Sequence, residues 1–282
     1  MYARPVRYVD GLPRPDRCLV MGVVNVTPDS FSDGGRYLDA DVAVKHGLGM
    51  LADGADLLDV GGESTRPGAV RPTEQEERER VLPVVAALAE AGAVVSVDTM
   101  RASIADDVLR AGARVINDVS GGLADPEMYA VVADHGAAYI LMHWRGHADR
   151  MQKLTRYDAL VPDVIGELAT RIAAARSAGV ERIAIDPGIG FAKTFDQNWE
   201  LLAGIEQLHA LDHPVLIATS RKGFLGALLA GPEGTARPAA RREDATTATS
   251  ALAAAAGAWC IRTHTPRSTR DAVEVQVRWA RG

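Results

Sequence analysis

Cysteine is nearly absent. Cys18 and Cys260 are the only two in 282 residues, and both stand inside apolar runs. Two buried small hydrophobes in a reducing cytoplasm are therefore expected, in preference to a disulfide, a metal site or a nucleophile. Long apolar runs are missing too. No segment approaches the roughly 20 apolar residues of a membrane span, and the opening MYARPVRYVDGLPRPDR lacks the apolar centre of a signal peptide. A soluble, unexported, cytoplasmic protein that meets no membrane is expected. Dense blocks of Lys and Arg are absent from a chain of net charge -6, so nucleic acid is not an expected partner. Aromatic residues are scarce at 5% against 47% hydrophobic residues overall. The interior must then be built from Val, Ile, Leu and Ala, a composition suited to helices packed on a parallel sheet.

What is present is a repeat. Short β-type runs occur at CLVMGVV, DLLDV, AVVSV, RVI, AAYILM, RIAI, PVLIA and AWCI, separated by segments of helical spacing. Helix punctuation accompanies many of them: Asp39 and Thr73 as starts, Gly54, Gly92 and Gly112 as stops. About eight strands joined by crossover helices run parallel and close most economically into a (β/α)8 barrel of the TIM type. The expected fold is thus α/β, one closed parallel barrel domain over 18–282 preceded by an extension, 1–17, with no readable function. An open doubly wound sheet would carry a G-x-G-x-x-G turn after its first strand, where this chain has Asn25-Val26-Thr27-Pro28.

Each apolar run ends in polar side chains: Asn25; Asp59 with Glu63; Asp98; Asn117 with Asp118; His143; Asp186; Ser220 with Lys222; Arg262 with His264. One such end is ordinarily a cap or a turn former. All of them together describe the C-terminal mouth of a barrel, where several strands aim side chains at one ligand. The acidic run EQEERER from Glu74 is expected to be an outward helix face, and Gly231 to Asp244 a solvated loop.

Read as literal strings, MGVVNVTPDSFSDGG from Met21 and DVGGESTRPG from Asp59 resemble the two signatures of the dihydropteroate synthases. SVDT, NDVSGG, LMHW, DPGIGFAK, TSRKGFLG and IRTH follow in that family's order, so the resemblance runs from about Cys18 to the C-terminus. It implies a transferase of folate biosynthesis that moves an alkyl group other than methyl. A dihydropterin carrying a hydroxymethyl diphosphate loses diphosphate, and the amine of p-aminobenzoate attacks the methylene carbon.

The resemblance also implies roles. Asp186 and Asn117 clamp the pterin edge, Lys222 donates to its carbonyl and ring nitrogen, and Val119, Met142 and Phe191 wall the flat ring. Asp98 and Arg262 also bind the pterin, the one lying against it and the other stacking on it, and Asp98, Lys222 and Arg262 form the catalytic group, with Asp98 a negative charge beside a cationic intermediate. Asn25, Thr65, Arg262, Thr263 and His264 face the diphosphate, and Asn25 gives an oxygen to a bridging magnesium ion. Phe31, Ser32 and Asp33, with Thr65, Arg66 and Pro67, supply the p-aminobenzoate pocket, to which Gly223 belongs by position. A homodimer and sensitivity to sulfonamides, which resemble p-aminobenzoate, go with the family.

Two departures stand out. Thr265-Pro266 replaces an Asp-Val common in the family, leaving Thr265 as a cap with Pro266 at the first helical position. Gly223 stands where relatives often carry Ser or Arg, removing a contact to the benzoate carboxylate. A pterin-binding methyltransferase is the competing enzyme reading, but a methyl donor has no diphosphate to hold. A non-catalytic pterin-binding paralogue is the other alternative, and the presence of Asp98, Lys222 and Arg262 argues against it.

Overall fold

Every residue of β1 (Leu19–Asn25) except Asn25 is buried, as a strand must be when it has neighbours on both edges and packed layers on both faces. The computed structural model describes residues 6–27, 36–63, 71–147 and 151–282. After β1 come α1 (Arg36–Ala52), β2 (Leu57–Gly61), α2 (Glu74–Glu90), β3 (Val95–Asp98) and α3 (Ala102–Arg110). Next are β4 (Val115–Asp118), α4 (Met128–Asp134), β5 (Ala138–Met142), α5 (Leu160–Ser177) and β6 (Arg182–Asp186). The chain ends with α6 (Phe195–Ala203), α7 (Ile205–Leu208), β7 (Leu216–Ile217), α8 (Gly223–Leu228), α9 (Glu243–Ala255), β8 (Cys260–Thr263) and α10 (Pro266–Arg281).

The eight strands are hydrogen-bonded in the order β6-β5-β4-β3-β2-β1-β8-β7, each pair parallel. A bridge between Ile185 and Val215 joins the two outermost strands and closes the barrel. Alternation along the strands then sorts the core. Leu19, Met21, Leu57, Val115, Ala138, Ile140, Ala184, Leu216 and Cys260 meet in one interior cluster. Their neighbours Val20, Leu58, Val60, Ile116, Leu141 and Ile261 pack outward with the helices. Val9 and Leu12, ahead of β1, join the interior cluster, and Arg17 holds both carboxylate oxygens of Asp56 at 2.7 Å. The segment before the first strand therefore seals the N-terminal end and leaves the C-terminal end open.

Thr73 caps α2 with a reciprocal bond to Glu76, and Gly54, Gly92 and Gly112 take positive φ of 98°, 85° and 106° at helix ends. Four local expectations are corrected. α1 begins at Arg36, so Asp39 lies inside its first turn. β7 keeps only Leu216 and Ile217 of the apolar run PVLIA: Pro214 has no amide to donate to a ladder, and Val215 makes an isolated bridge to Ile185. Thr265 precedes α10, but its hydroxyl donates to Glu243 instead of capping. In the acidic run, Glu77 is fully buried, accepting from Thr99 Oγ1 at 2.6 Å and pairing with Arg101. Residues 231–242 are mostly exposed, as expected of a solvated loop, but Glu243 and Asp244 already form the first turn of α9, where their acidic side chains suit a helix N-terminus.

Candidate active site

Above the apolar interior layers the same inward alternation delivers polar side chains. Asp59, wholly buried on β2, accepts from Ser96 Oγ at 2.7 Å, Asn117 Nδ2 at 3.0 Å and Arg262 Nε at 2.6 Å. Arg262 Nη2 also donates to Asp98 at 3.0 Å. One guanidinium thus ties β8 to β2 and β3, and the amide of Asn117 brings in β4. Burying a carboxyl group so deep is tolerable because a cation and two neutral donors satisfy its oxygens. Asp98 is different. It has one cationic partner, and burial pushes its carboxyl up while Arg262 pulls it down and Asp59 adds to the rise.

On the other side of the barrel, Asp186 ends β6 opposite Met142 of β5. Its Oδ1 accepts from the Gly188 amide at 2.7 Å, and burial raises its carboxyl against the opposing pull of Lys222. Burial in turn lowers the Lys222 ammonium to about 8, with Asp186 resisting. Lys222 Nζ donates to the Ile189 carbonyl and stands 5.0 Å from the centre of the Phe191 ring. Arg221, immediately before it, has φ of 60°, a costly conformation for a residue with a side chain. Its guanidinium is held by Glu243 and its amide by Thr246 Oγ1, so the surroundings impose the turn that presents Lys222.

An apolar patch completes the mouth. Met100, Val119 and Met142 form a buried cluster against which Trp144 and Phe191 pack. Val119 is fixed by its neighbour Asp118, which accepts from the amides of Ser120 and Gly122, both at 2.8 Å, and from Tyr139 Oη at 2.7 Å.

Asp98, Asn117, Val119, Met142, Asp186, Phe191, Lys222 and Arg262 therefore all lie on the one open end, as do Asn25 at the end of β1 and His264 beyond β8. Asn25 is half-buried, and its side chain makes no hydrogen bond among the described residues. His264 Nδ1 lies 2.9 Å from Ser220 Oγ, which also accepts from the His264 amide. Thr263 departs from expectation. It is fully buried, and its hydroxyl accepts from the Thr265 amide at 3.1 Å and from Thr269 Oγ1 at 3.0 Å. Strand alternation that turns Arg262 inward turns Thr263 toward α10, so its side chain is withdrawn from the diphosphate group. Gly223 opens α8 and is exposed. Phe31, Ser32, Asp33, Thr65, Arg66 and Pro67 lie outside the described residues. No cluster of three or more His, Cys, Asp or Glu able to hold a metal occurs among the described residues.

Two residues were given no role by sequence alone. Asp59 stood among the strand ends, and its place two residues short of the rim of β2 was the available signal. Lys193 was hidden within DPGIGFAK; only 2% of it is exposed, and its Nζ lies 3.1 Å from His143 Nδ1.

Residues 21–264 match the family model described as pterin binding enzyme. A dihydropteroate synthase of Mycobacterium leprae (strain TN) is 51% identical over 263 residues, covering 92% of this chain and 93% of its own. The Yersinia pestis dihydropteroate synthase, solved as a sulfonamide drug complex, aligns with a TM-score of 0.88 at 39% identity, over 98% of this chain and 99% of that one. Dihydropteroate synthase from Xanthomonas albilineans, solved in complex with 7,8-dihydropteroate, aligns at 0.81 and 40% identity over 92% of both chains.

Proposed function

The chain belongs to the pterin-binding enzymes and, within them, to the dihydropteroate synthases, and from that premise we propose how its residues share the work. The reaction joins p-aminobenzoate to 6-hydroxymethyl-7,8-dihydropterin diphosphate and releases diphosphate, a step of folate biosynthesis. Asp186 and Asn117 take the guanidine-like edge of the pterin, a carboxylate for two donors and an amide for a donor and acceptor pair. Lys222 donates to the ring carbonyl and nitrogen. Val119, Met142 and Phe191 cover the ring faces.

The diphosphate end points to β1 and β8. Arg262 spends Nε on Asp59 and Nη2 on Asp98, which leaves Nη1 for a phosphate oxygen and its plane for stacking on the pterin. His264 adds a second donor, and Thr65 belongs to this group by resemblance. The carbon–oxygen bond to the diphosphate breaks with its electron pair going to the leaving group. Positive charge then spreads from the methylene carbon into the dihydropterin, beside the carboxylate of Asp98. The aromatic amine forms the new carbon–nitrogen bond and surrenders a proton to solvent or diphosphate. No protein nucleophile enters, and burial pushes both thiols upward, so neither Cys18 nor Cys260 offers one. Phe31, Ser32, Thr65, Arg66, Pro67 and the backbone of Gly223 are assigned to p-aminobenzoate.

Magnesium is assigned to the diphosphate. A single neutral amide oxygen, that of Asn25, suits an ion that keeps waters and substrate oxygens, and it would not suit an ion needing an acidic cage. Held there, such an ion would neutralise charge on the leaving group. A homodimer through the last helices is supported by Leu252, Val275 and Trp279, which are 71%, 64% and 86% exposed on α9 and α10. No helix is long and apolar enough to cross a membrane among the described residues, and the cytoplasm is the assigned compartment.

The observation that carries these roles is mutual. Arg262 from β8 reaches Asp59 on β2 and Asp98 on β3, Asn117 from β4 reaches the same Asp59, and Lys222 reaches the Ile189 carbonyl just past Asp186 of β6, so side chains from separate strand ends meet at one mouth. The test is diphosphate release by the purified protein with both substrates and magnesium. No release would end the assignment.

A further inference from the structure

The turn between β6 and α6, residues 187 to 194, is gripped by two lysines. Lys222 holds the Ile189 carbonyl from the mouth side. From the buried side, Lys193 Nζ lies 3.1 Å from each of three acceptors: the Gly188 carbonyl, the Phe191 carbonyl and His143 Nδ1. An ammonium has three N–H bonds, and here each finds one acceptor. The two carbonyls bracket Ile189 and Gly190, and the turn carries a costly conformation at Ala192, with φ of 49°, close to Gly188 at φ of 71°, where glycine alone fits because a Cβ would come within 2.4 Å of the His143 carbonyl. A turn of this kind persists when its surroundings over-determine it.

The third acceptor is prepared by its own partner. His143 Nε2 lies 3.0 Å from Glu167 Oε2, and Glu167 is also bound by Arg145. Burial lowers the His143 ring to about 4, with Lys193 adding to the fall, so the ring is neutral. The carboxylate of Glu167, held down to about 2 by the His143 bond and by Arg145, claims the single N–H at Nε2. Nδ1 is left with a lone pair, the form that accepts from Lys193.

We propose that Lys193 is a positioning residue for the synthase reaction: its ammonium pins the 188–191 turn and thereby sets Phe191 against the pterin ring. The inference rests on the proposed placement of Phe191 on that ring. Lys193 touches no substrate. It acts through the backbone on either side of Phe191, and through Gly188, whose amide bonds Asp186.

The arrangement has a pH consequence. Lys193 faces His143 just beyond β5, Asp186 from β6, Glu167 from α5, Arg145 and Tyr157 from the segment between β5 and α5, and Lys222 from the turn before α8. Burial dominates among these influences and lowers the ammonium to about 7, with Asp186 resisting and Lys222 adding. Below that pH three donors serve three acceptors. Above it the uncharged amine has two for the same three acceptors, so one of the three bonds is lost, the other two lose the strength that the charge gave them, and the hold on the turn weakens. The KM for pterin diphosphate should therefore rise as pH passes upward through the neutral range.

The decisive experiment uses the full chain with Lys193→Met, and Lys193→Gln as a second variant retaining two N–H donors should the first fail to fold. Amide hydrogen exchange of residues 188–192 reads the turn without turnover, and steady-state kinetics read its effect on catalysis. In Lys193→Met, exchange of these amides should accelerate by about tenfold or more, the magnitude expected for losing bonds to a charged donor. The KM for pterin diphosphate should rise by about tenfold while kcat changes by less than about threefold, and the pH step in KM should vanish. Lys193→Gln should fall between. Unchanged exchange in a folded variant would overturn the proposal whatever the activity, and so would equal losses in the KM of both substrates. A wild-type protein that turns over neither substrate would instead sink the synthase assignment, and exchange would still decide the role of Lys193.

Discussion

Arg262 Nη2 meets Asp98 Oδ2 at 3.0 Å, and the same guanidinium is already committed to Asp59 through Nε. Two carboxylates therefore share one cation, and the surplus negative charge falls at Asp98, the member nearer the rim. A fixed negative charge in a partly dehydrated mouth stabilises positive charge developing beside it far better than it would in water. Catalytic power on this account resides in where Asp98 is held, and Arg262 holds it.

Replacing Asp98 with Asn keeps the shape and a hydrogen-bonding oxygen but removes the charge. Turnover should fall by roughly 100- to 1000-fold, the range found when one preorganised electrostatic group is lost. Pterin affinity should change far less, because the neutral ring gains little from the charge before the bond to diphosphate breaks. Parallel measurement of kcat and of pterin binding by calorimetry checks this; losses of similar size in both would reduce Asp98 to a binding group.

The titration of Asp98 supplies a second expectation. Its carboxyl is raised, chiefly by burial, so protons are retained at pH values where an ordinary carboxylate has lost them. The charged form is the useful one, and it appears as pH rises. The acidic limb of the pH profile of kcat/KM should therefore lie above the usual carboxylate range, and it should be missing in Asp98→Asn. A limb unchanged in that variant would mean that another group titrates.

Arg262→Ala should cost stability as well as activity. It strips Asp59, which is fully buried, of its one cationic partner among the described residues and leaves that side chain with two neutral donors. The penalty expected for breaking a buried ion pair from one side is about 3–5 kcal/mol. Urea unfolding followed by far-UV circular dichroism measures it. A loss below about 1 kcal/mol, the range of an exposed pair, would contradict the burial argument.

The fold was legible because β strands buried on both faces leave little room for anything but Val, Ile, Leu and Ala, and the runs from Leu19, Leu57 and Ala138 are of that kind. The mouth was legible because each run stops at a polar side chain. Depth was harder to read. Asp59 and Asp98 look alike in sequence, yet one is a satisfied hub inside the barrel and the other a rim charge, a distinction set by strand stagger. Thr263 was misplaced because it sits between two ligand-facing residues, while alternation turns it to the helices. Glu77 was misread for a related reason: an acidic helix face may still carry one residue inward, and Thr99 and Arg101, the partners that make this bearable, come from the next βα unit.

Sulfonamides should compete with p-aminobenzoate and not with the pterin. They share the aromatic amine and an anionic or polar group para to it, so they fit the same pocket without disturbing the Asp186 and Asn117 edge. Inhibition kinetics at varied p-aminobenzoate should give a rising apparent KM at constant maximal rate. Inhibition that added p-aminobenzoate fails to relieve would remove the pocket from the neighbourhood of Gly223.

Two glycines of the mouth should answer oppositely to substitution. A Cβ on Gly188 would stand 2.4 Å from the backbone carbonyl of His143, and φ there is 71°. Neither His143, whose amide donates to the Asp186 carbonyl at 2.8 Å, nor the turn can yield without disturbing the Asp186 bond to the Gly188 amide. Gly188→Ala should therefore lower stability by more than about 1 kcal/mol, the usual cost of a forbidden backbone conformation, and should raise the KM for the pterin. At Gly223 the nearest atom to a Cβ is Phe195 Cε1 at 3.5 Å, an ordinary contact, and φ is not positive. Gly223→Ser should fold with unchanged stability within about 0.5 kcal/mol, as surface substitutions do. If Gly223 borders the benzoate carboxylate, the new hydroxyl should lower the KM for p-aminobenzoate and leave that for the pterin alone. Thermal unfolding and the two KM values together decide the matter: a destabilised Gly223→Ser or a harmless Gly188→Ala would show that steric room at the mouth is distributed otherwise.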